Sequence, residues 1–147
     1  MTLAPFDVLF LELSWDWLND EELRILVDIP KITKNQQLKW FHELPTKNDY
    51  LIWGILFGNN PIGVSGIKNI NNNSGEYWGY IGDKNYWGKG LGSFMIQLIE
   101  MEAKKIKLSK LHLKVLISNK KAIQLYQKSG FVQISVTDSH IFMQKII

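Results

Sequence analysis

Apolar positions along this chain change their spacing several times, and each change marks an element. Phe6 to Leu11 is a dense apolar run that reads as a first strand. Ser14 to Val27 reads as a helix capped by Ser14, with Trp15, Leu18 and Leu23 turned inward, and Pro30 ends it. Thr33 to Leu44 reads as a second helix, with Thr33 as its cap, Gln36 or Gln37 near the capping-box position, and Leu38, Phe41 and Leu44 on one side. Pro45 closes that segment. YLIWGILF and PIGVSGIKNI are two strand-like runs separated by the hairpin residues Gly58, Asn59 and Asn60. NINNNSG, residues 69–75, reads as the next hairpin loop.

Glu76 to Gly82 continues as a strand, and its glycines, Gly79 and Gly82, suggest a bulge or a backbone approached by a ligand. From Leu91 to about Lys105 the apolar positions Leu91, Met95, Leu98, Ile99 and Ala103 keep helical spacing. Leu111 to Ile117 alternates as a strand, a helix from about Asn119 ends at Gly130, and strands at Phe131–Val136 and Ile141–Ile146 close the chain. The resulting order, β-α-α-β-β-β-α-β-α-β-β, mixes hairpins with two crossover helices. That predicts an α/β fold of the α+β kind, one mixed and mostly antiparallel sheet flanked by helices.

Length and composition narrow the function classes. The 147 residues predict a single domain, 1–147, with enough apolar content for a true core. The 17 Lys and Arg against 14 Asp and Glu give +3, too mild a charge for a dedicated nucleic-acid binder, while a phosphate-bearing small ligand fits it. The absence of cysteine excludes disulfides, thiolate zinc sites and a cysteine nucleophile, and His42, His112 and His140 make no metal spacing. The opening MTLAPFDVLFLELSW has no basic n-region and carries Asp7 and Glu12, and YLIWGILFG is shorter than the roughly 18 residues of a membrane span. These features predict a cytoplasmic protein with neither membrane nor nucleic-acid partners, either a monomer or a homodimer.

The chemistry concentrates at NYWGKGLGSFMIQLIE, where three glycines lead into a helix. A helix N-terminus offers free N–H groups and a positive partial charge, which suits a phosphate, and glycines there admit positive φ or close approach. It is no Walker A loop, since Lys89 is followed by Gly90 rather than Ser or Thr, and no dinucleotide fingerprint, since Ser93 stands where a third glycine belongs. The string Trp87, Gly88, Lys89, Gly90, Leu91, Gly92 instead resembles the acyl-CoA loop of the GNAT N-acetyltransferases, Q/R-x-x-G-x-G/A, with Trp87 at the Gln/Arg position. A tryptophan there resembles the branch acting on ribosomal-protein N-termini and small amines. A second string, LHLKVLISNKKAIQLYQKSGF, is similar to the family's later strand and helix, with Asn119, Ala122, Leu125, Tyr126, Lys128, Gly130 and Phe131 at matching positions.

The resemblance implies a GNAT fold and an acetyl-CoA-dependent N-acetyltransferase, with no metal and acetyl-CoA as cosubstrate. Pyrophosphate would sit on the backbone of residues 88–93, including Ser93, and the pantetheine arm would lie between strands that splay apart. It assigns Tyr126 as general acid to the departing thiolate, the other reading being a core tyrosine. Glu76, fourteen residues before Gly90, matches the position of a general base, against a solvated strand-end glutamate. A backbone N–H near Ile81 or Gly82 would polarise the thioester carbonyl. Asn119 would bind the pantetheine amide or order a water, or simply cap its helix, and the two roles are compatible.

The acceptor implied is a primary amine of a small molecule. WLNDEELR and KITKNQQLKWFHEL loosely resemble enzymes that acetylate amino-sugar nucleotides, and Trp17, Asn19, Trp40 and Trp78 are either stacking surfaces for a base or sugar, or buried packing. A protein N-terminus as acceptor, or a non-catalytic acyl-CoA-binding module, are the alternatives.

Overall fold

The computed structural model describes residues 1–147. Seven strands form one sheet in the order β1-β2-β3-β4-β5-β7-β6. Every neighbouring pair is antiparallel except β4 (Ser74–Ile81) with β5 (Lys110–Leu116). α4 (Leu91–Lys105) makes the crossover between those two strands, as a parallel pair requires. Its inward face, Ile96, Ile99 and Ala103, packs with Ile67, Leu111, Phe131 and Met143 to form the main core. β2 (Leu51–Phe57), β3 (Asn60–Lys68), α5 (Lys120–Lys128), β6 (Val132–Val136) and β7 (His140–Ile146) follow the sequence pattern.

The N-terminal third departs from it. The first strand is β1 (Thr2–Pro5), and Phe6–Leu11 is not a strand. Asp7 accepts a hydrogen bond from the Phe10 N–H and caps α1 (Val8–Leu18), so the apolar run is the first turn of a helix with Phe10 and Leu11 buried. Ser14 is therefore not a cap. It lies buried inside α1 and donates to the Leu11 carbonyl at 2.8 Å, the back-bonding that serine makes within a helix. The expected helix over 14–27 is two, because Asp20 caps a new one, α2 (Glu21–Val27), through the Leu23 N–H. One more helix thus precedes β2 than the pattern suggested.

α3 (Lys34–Glu43) has the expected capping box, with Thr33 Oγ1 accepting from the Gln36 N–H and Gln36 Oε1 accepting from the Thr33 N–H. Its inward face is rotated by one residue. Gln37 is 4% exposed while Leu38 is 37% exposed, because Trp40 and Phe41 reach Phe6 and Gln37 reaches Ser14. β4 carries no bulge, since its register against β3 is continuous from Glu76 to Ile81. Its glycines answer to packing instead: Gly79 lies against Ser65 and Met95, and Gly82 against the Trp17 indole.

Candidate active site

β4 and β5 pair only through Ser74, Gly75 and Glu76 with Lys110, Leu111 and His112. Beyond Glu76 the strands part, and a cleft of about 720 Å³ opens where the ladder stops. It passes through the sheet. Strand alternation turns Tyr77 and Gly79 toward α4 and turns Glu76, Trp78 and Tyr80 toward α1 and α2. Tyr126, Leu125 and Met95 line the cleft from the first face, Glu76, Trp78 and Tyr80 from the second.

The glycine turn forms one end. α1, α2, α3 and α5 each begin with a side chain that accepts a backbone N–H, from Asp7, Asp20, Thr33 and Asn119. α4 begins at Gly90 with no side-chain cap, leaving its first N–H groups for an anion. Gly88 and Gly90 take φ values of +70° and +73° with nothing within 4 Å of the position a Cβ would occupy, so the conformation needs glycine and the space beside it is open. Gly92 differs: a Cβ there would meet Leu125 Cδ2 at 2.7 Å, which makes it a packing contact between α4 and α5. Ser93 Oγ donates to the Gly90 carbonyl at 3.0 Å and Lys89 is exposed at the rim. The residues fit a pyrophosphate.

Trp87, at the atypical position, bonds to the end of β4: its Nε1 donates to the Ile81 carbonyl at 2.7 Å. Gly82 N–H donates to the Ile62 carbonyl at 2.7 Å, so it points at β3 and is engaged. Alternation along the strand then turns the Ile81 N–H to the opposite edge, into the gap left by β5. Of the two backbone donors expected to meet a carbonyl in the gap, Ile81 is the one facing it.

Tyr126 stands edge-on to Tyr77 and Phe131, with ring centroids 6.1 and 5.9 Å apart. Burial pushes its phenol up to about 12, so it stays protonated throughout the neutral range. On the other face the Glu76 carboxylate meets Lys68 Nζ at 3.4 Å, His112 Nε2 at 3.9 Å and Asn69 Nδ2 at 3.3 Å. Asn119 caps α5 through the Ala122 N–H at 3.3 Å, and its Nδ2 donates to the Leu26 carbonyl at 3.1 Å, so both ends of its amide are in use. Of the four residues expected to stack on the acceptor, Trp40 and Trp78 line the cleft, Trp17 packs on Gly82, and Asn19 lies outside it.

Three features had no sequence signal strong enough to find. Ser14 and Gln37 form a buried polar pair, Gln37 Nε2 to Ser14 Oγ at 2.9 Å. Tyr50 stands between Trp40 and Trp78, with centroids 6.4 and 6.0 Å away. His140 Nε2 reaches Asp28 Oδ2 at 2.7 Å. Each depends on elements far apart in the chain.

The comparisons with known proteins agree with this fold. Residues 11–131 match the model of the acetyltransferase (GNAT) family, and the chain belongs to that family. It is an acyltransferase, and acetyl-CoA is its acyl donor. Among solved structures, the spermidine N-acetyltransferase of Vibrio cholerae in complex with CoA and spermine superposes with a TM-score of 0.87 at 19% identity, covering 99% of this chain and 94% of that one. The N-acetyltransferase PseH of Campylobacter jejuni in complex with acetyl coenzyme A gives 0.78 at 21%, covering 99% and 97%. A domain from Methanocaldococcus jannaschii gives 0.86 at 19%, covering 99% and 97%. No curated protein sequence matches the chain. No helix is long and apolar enough to cross a membrane.

Proposed function

We propose that the protein transfers the acetyl group of acetyl-CoA to the primary amine of a small molecule, by direct attack on the thioester. The observation that carries this is the cleft through the sheet, which has a protonated tyrosine on one face and a carboxylate on the other. The amine nitrogen bonds to the carbonyl carbon as the carbon–sulfur bond breaks. The Ile81 N–H stabilises charge on the carbonyl oxygen. Tyr126 gives its proton to the departing thiolate, and Glu76, directly or through a water, takes the proton that the amine sheds. Ile81 thus holds the acetyl end, and Trp87, Gly88, Lys89, Gly90, Leu91, Gly92 and Ser93 hold the CoA end. Asn119 shapes the mouth of the cleft through its helix cap and its bond to Leu26, and the engaged Gly82 N–H fixes the end of β4.

The acceptor we favour is an amine on a nucleotide-linked sugar. Lys114 and Lys121 line the cleft without an acidic partner, whereas the lining carboxylates, Glu76 and Asp28, are both taken by neighbouring cations or imidazoles. That charge pattern suits a diphosphate-bearing acceptor better than a polyamine, and Trp40, Tyr50 and Trp78 offer flat faces to a ring. An acceptor screen under acetyl-CoA, read by thiol release, tests it with a UDP-linked 4-amino sugar, spermidine and a panel of N-terminal peptides. Efficient transfer to peptides with none to the sugar nucleotide would overturn the acceptor while leaving the transferase in place.

A further inference from the structure

Gln37 is the single buried residue of α3 and one of four buried polar residues in the protein. Buried amides are kept where both ends have partners, yet only one end of this one does. Ser14 has one hydroxyl proton, and it goes to the Leu11 carbonyl at 2.8 Å. The group facing Ser14 Oγ at 2.9 Å must therefore be a donor, which fixes Nε2 toward Ser14 and turns Oε1 away. Oε1 receives no hydrogen bond from the protein, and it is not among the fully buried atoms lacking a partner, which are Trp78 Nε1 and Ser129 Oγ. It is an open acceptor on a buried residue that lines the cleft. Gln37 also borders a second recess of about 10 Å³, room for about one water, so of the two spaces it lines only the cleft can admit a ligand group.

Trp40 is one helical turn from Gln37 on the same face and continues through Tyr50 to Trp78 as an aromatic wall. We infer that Gln37 reads the acceptor: its carbonyl takes a hydrogen bond from an O–H or N–H on the ring of the amine that stacks against Trp40, Tyr50 and Trp78. This rests on the small-amine transferase reading above and adds a specificity-determining residue to it. A buried acceptor left unpaired by the wrong ligand penalises that ligand more than a missing apolar contact does, so Gln37 would select a hydroxylated ring over a bare alkyl chain.

The test uses the UDP-linked 4-amino sugar and versions of it that each lack one ring hydroxyl. Gln37→Met, similar in shape but without the acceptor, should raise KM for the sugar nucleotide about tenfold, with kcat within about threefold, the pattern of lost uniform binding. Calorimetric CoA affinity should be unchanged. Gln37→Glu keeps an oxygen toward the cleft, with the Ser14 hydroxyl turning from the Leu11 carbonyl to the carboxylate, and should stay nearer the parent in KM. The parent should discriminate against one of the deoxy sugars by about tenfold, and the Met variant should lose that discrimination. The deoxy series in the parent decides the matter even if Gln37→Met fails to fold. An unchanged KM in the Met variant, no discrimination in the parent, or equal loss of KM, kcat and CoA binding in both variants would overturn the inference. Transfer to spermidine or peptides alone would also overturn it with the acetyltransferase standing. Thiol release with none of the amines, despite CoA binding, would remove the reading beneath it.

Discussion

Asp28 and His140 lie 112 residues apart in the chain, and their side chains meet at the mouth of the cleft at 2.7 Å. Asp28 holds a left-handed backbone, φ +57°, at the end of α2, and the second ring nitrogen of His140 is bound to Ser139 Oγ at 2.7 Å. With the bond from Asn119 to the Leu26 carbonyl, this straps the C-terminal end of α2 to the start of β7 and the start of α5. His140→Ala is expected to loosen the strap and raise the acceptor KM about fivefold, the worth of one ordinary hydrogen bond of roughly 1 kcal/mol. CoA affinity should not move, since the strap touches none of residues 87–93. Steady-state kinetics with a fixed, saturating donor would check this, and an unchanged KM would mean the strap is ornamental to acceptor binding.

Gly90 separates conformation from charge. Gly90→Ala should destabilise the turn by about 1–2 kcal/mol, because φ +73° is strained for a residue with a Cβ, and should weaken CoA only modestly. Gly90→Asp adds a negative charge at the uncapped start of α4 and should nearly abolish CoA binding in calorimetry. Equal CoA affinity in the Asp variant would count against a pyrophosphate there.

Tyr126→Phe removes a hydroxyl and leaves the ring packing on Tyr77 and Phe131. Turnover should drop by roughly the 10²–10⁴-fold that acid catalysis supplies, with CoA affinity kept. Because burial holds the phenol up to about 12, the parent's kcat should rise with pH as the amine deprotonates and show no falling limb below pH ~10. A descending limb in the neutral range would assign the proton to another group.

Which parts of this site were legible in the sequence follows from how local each signal is. α4 keeps a helical spacing of its own, and the glycine turn, Asn119 and Tyr126 lie within the two contiguous stretches that carry the family resemblance. The N-terminal third misled because FDVLFL has the composition of a strand, and only the capping bond from the Phe10 N–H to the Asp7 carboxylate decides for helix. Gln37 looked like a capping-box residue because its burial comes from α1, twenty-three residues earlier. The choice between Ile81 and Gly82 required knowing which edge of β4 faces β3, which is a register and not a motif.

Glu100 offers a test of stability away from the site. Burial raises its carboxyl, but hydrogen bonds from Lys145, at 2.6 Å, and from Lys104 outweigh that and hold it below the usual range. A depressed carboxylate adds stability at neutral pH that is lost as pH falls below about 4.5 through its folded value. Glu100→Gln should lower stability at pH 7 by roughly 1–3 kcal/mol and flatten the acid limb of a melting-temperature profile. A variant as acid-sensitive as the parent would place the acid-labile group elsewhere.

The short ladder between β4 and β5 divides the sheet into a four-stranded block and a three-stranded block that share three residue pairs. Such a sheet has a seam, and a ligand threaded along it acts as mortar. Amides near Ile81 and Val115 should exchange with solvent faster than those in the β2–β3 hairpin, and should slow when CoA is bound. The protein's lifetime against proteases would then follow the supply of its own donor, lengthening when acetyl-CoA is plentiful and shortening when it is scarce.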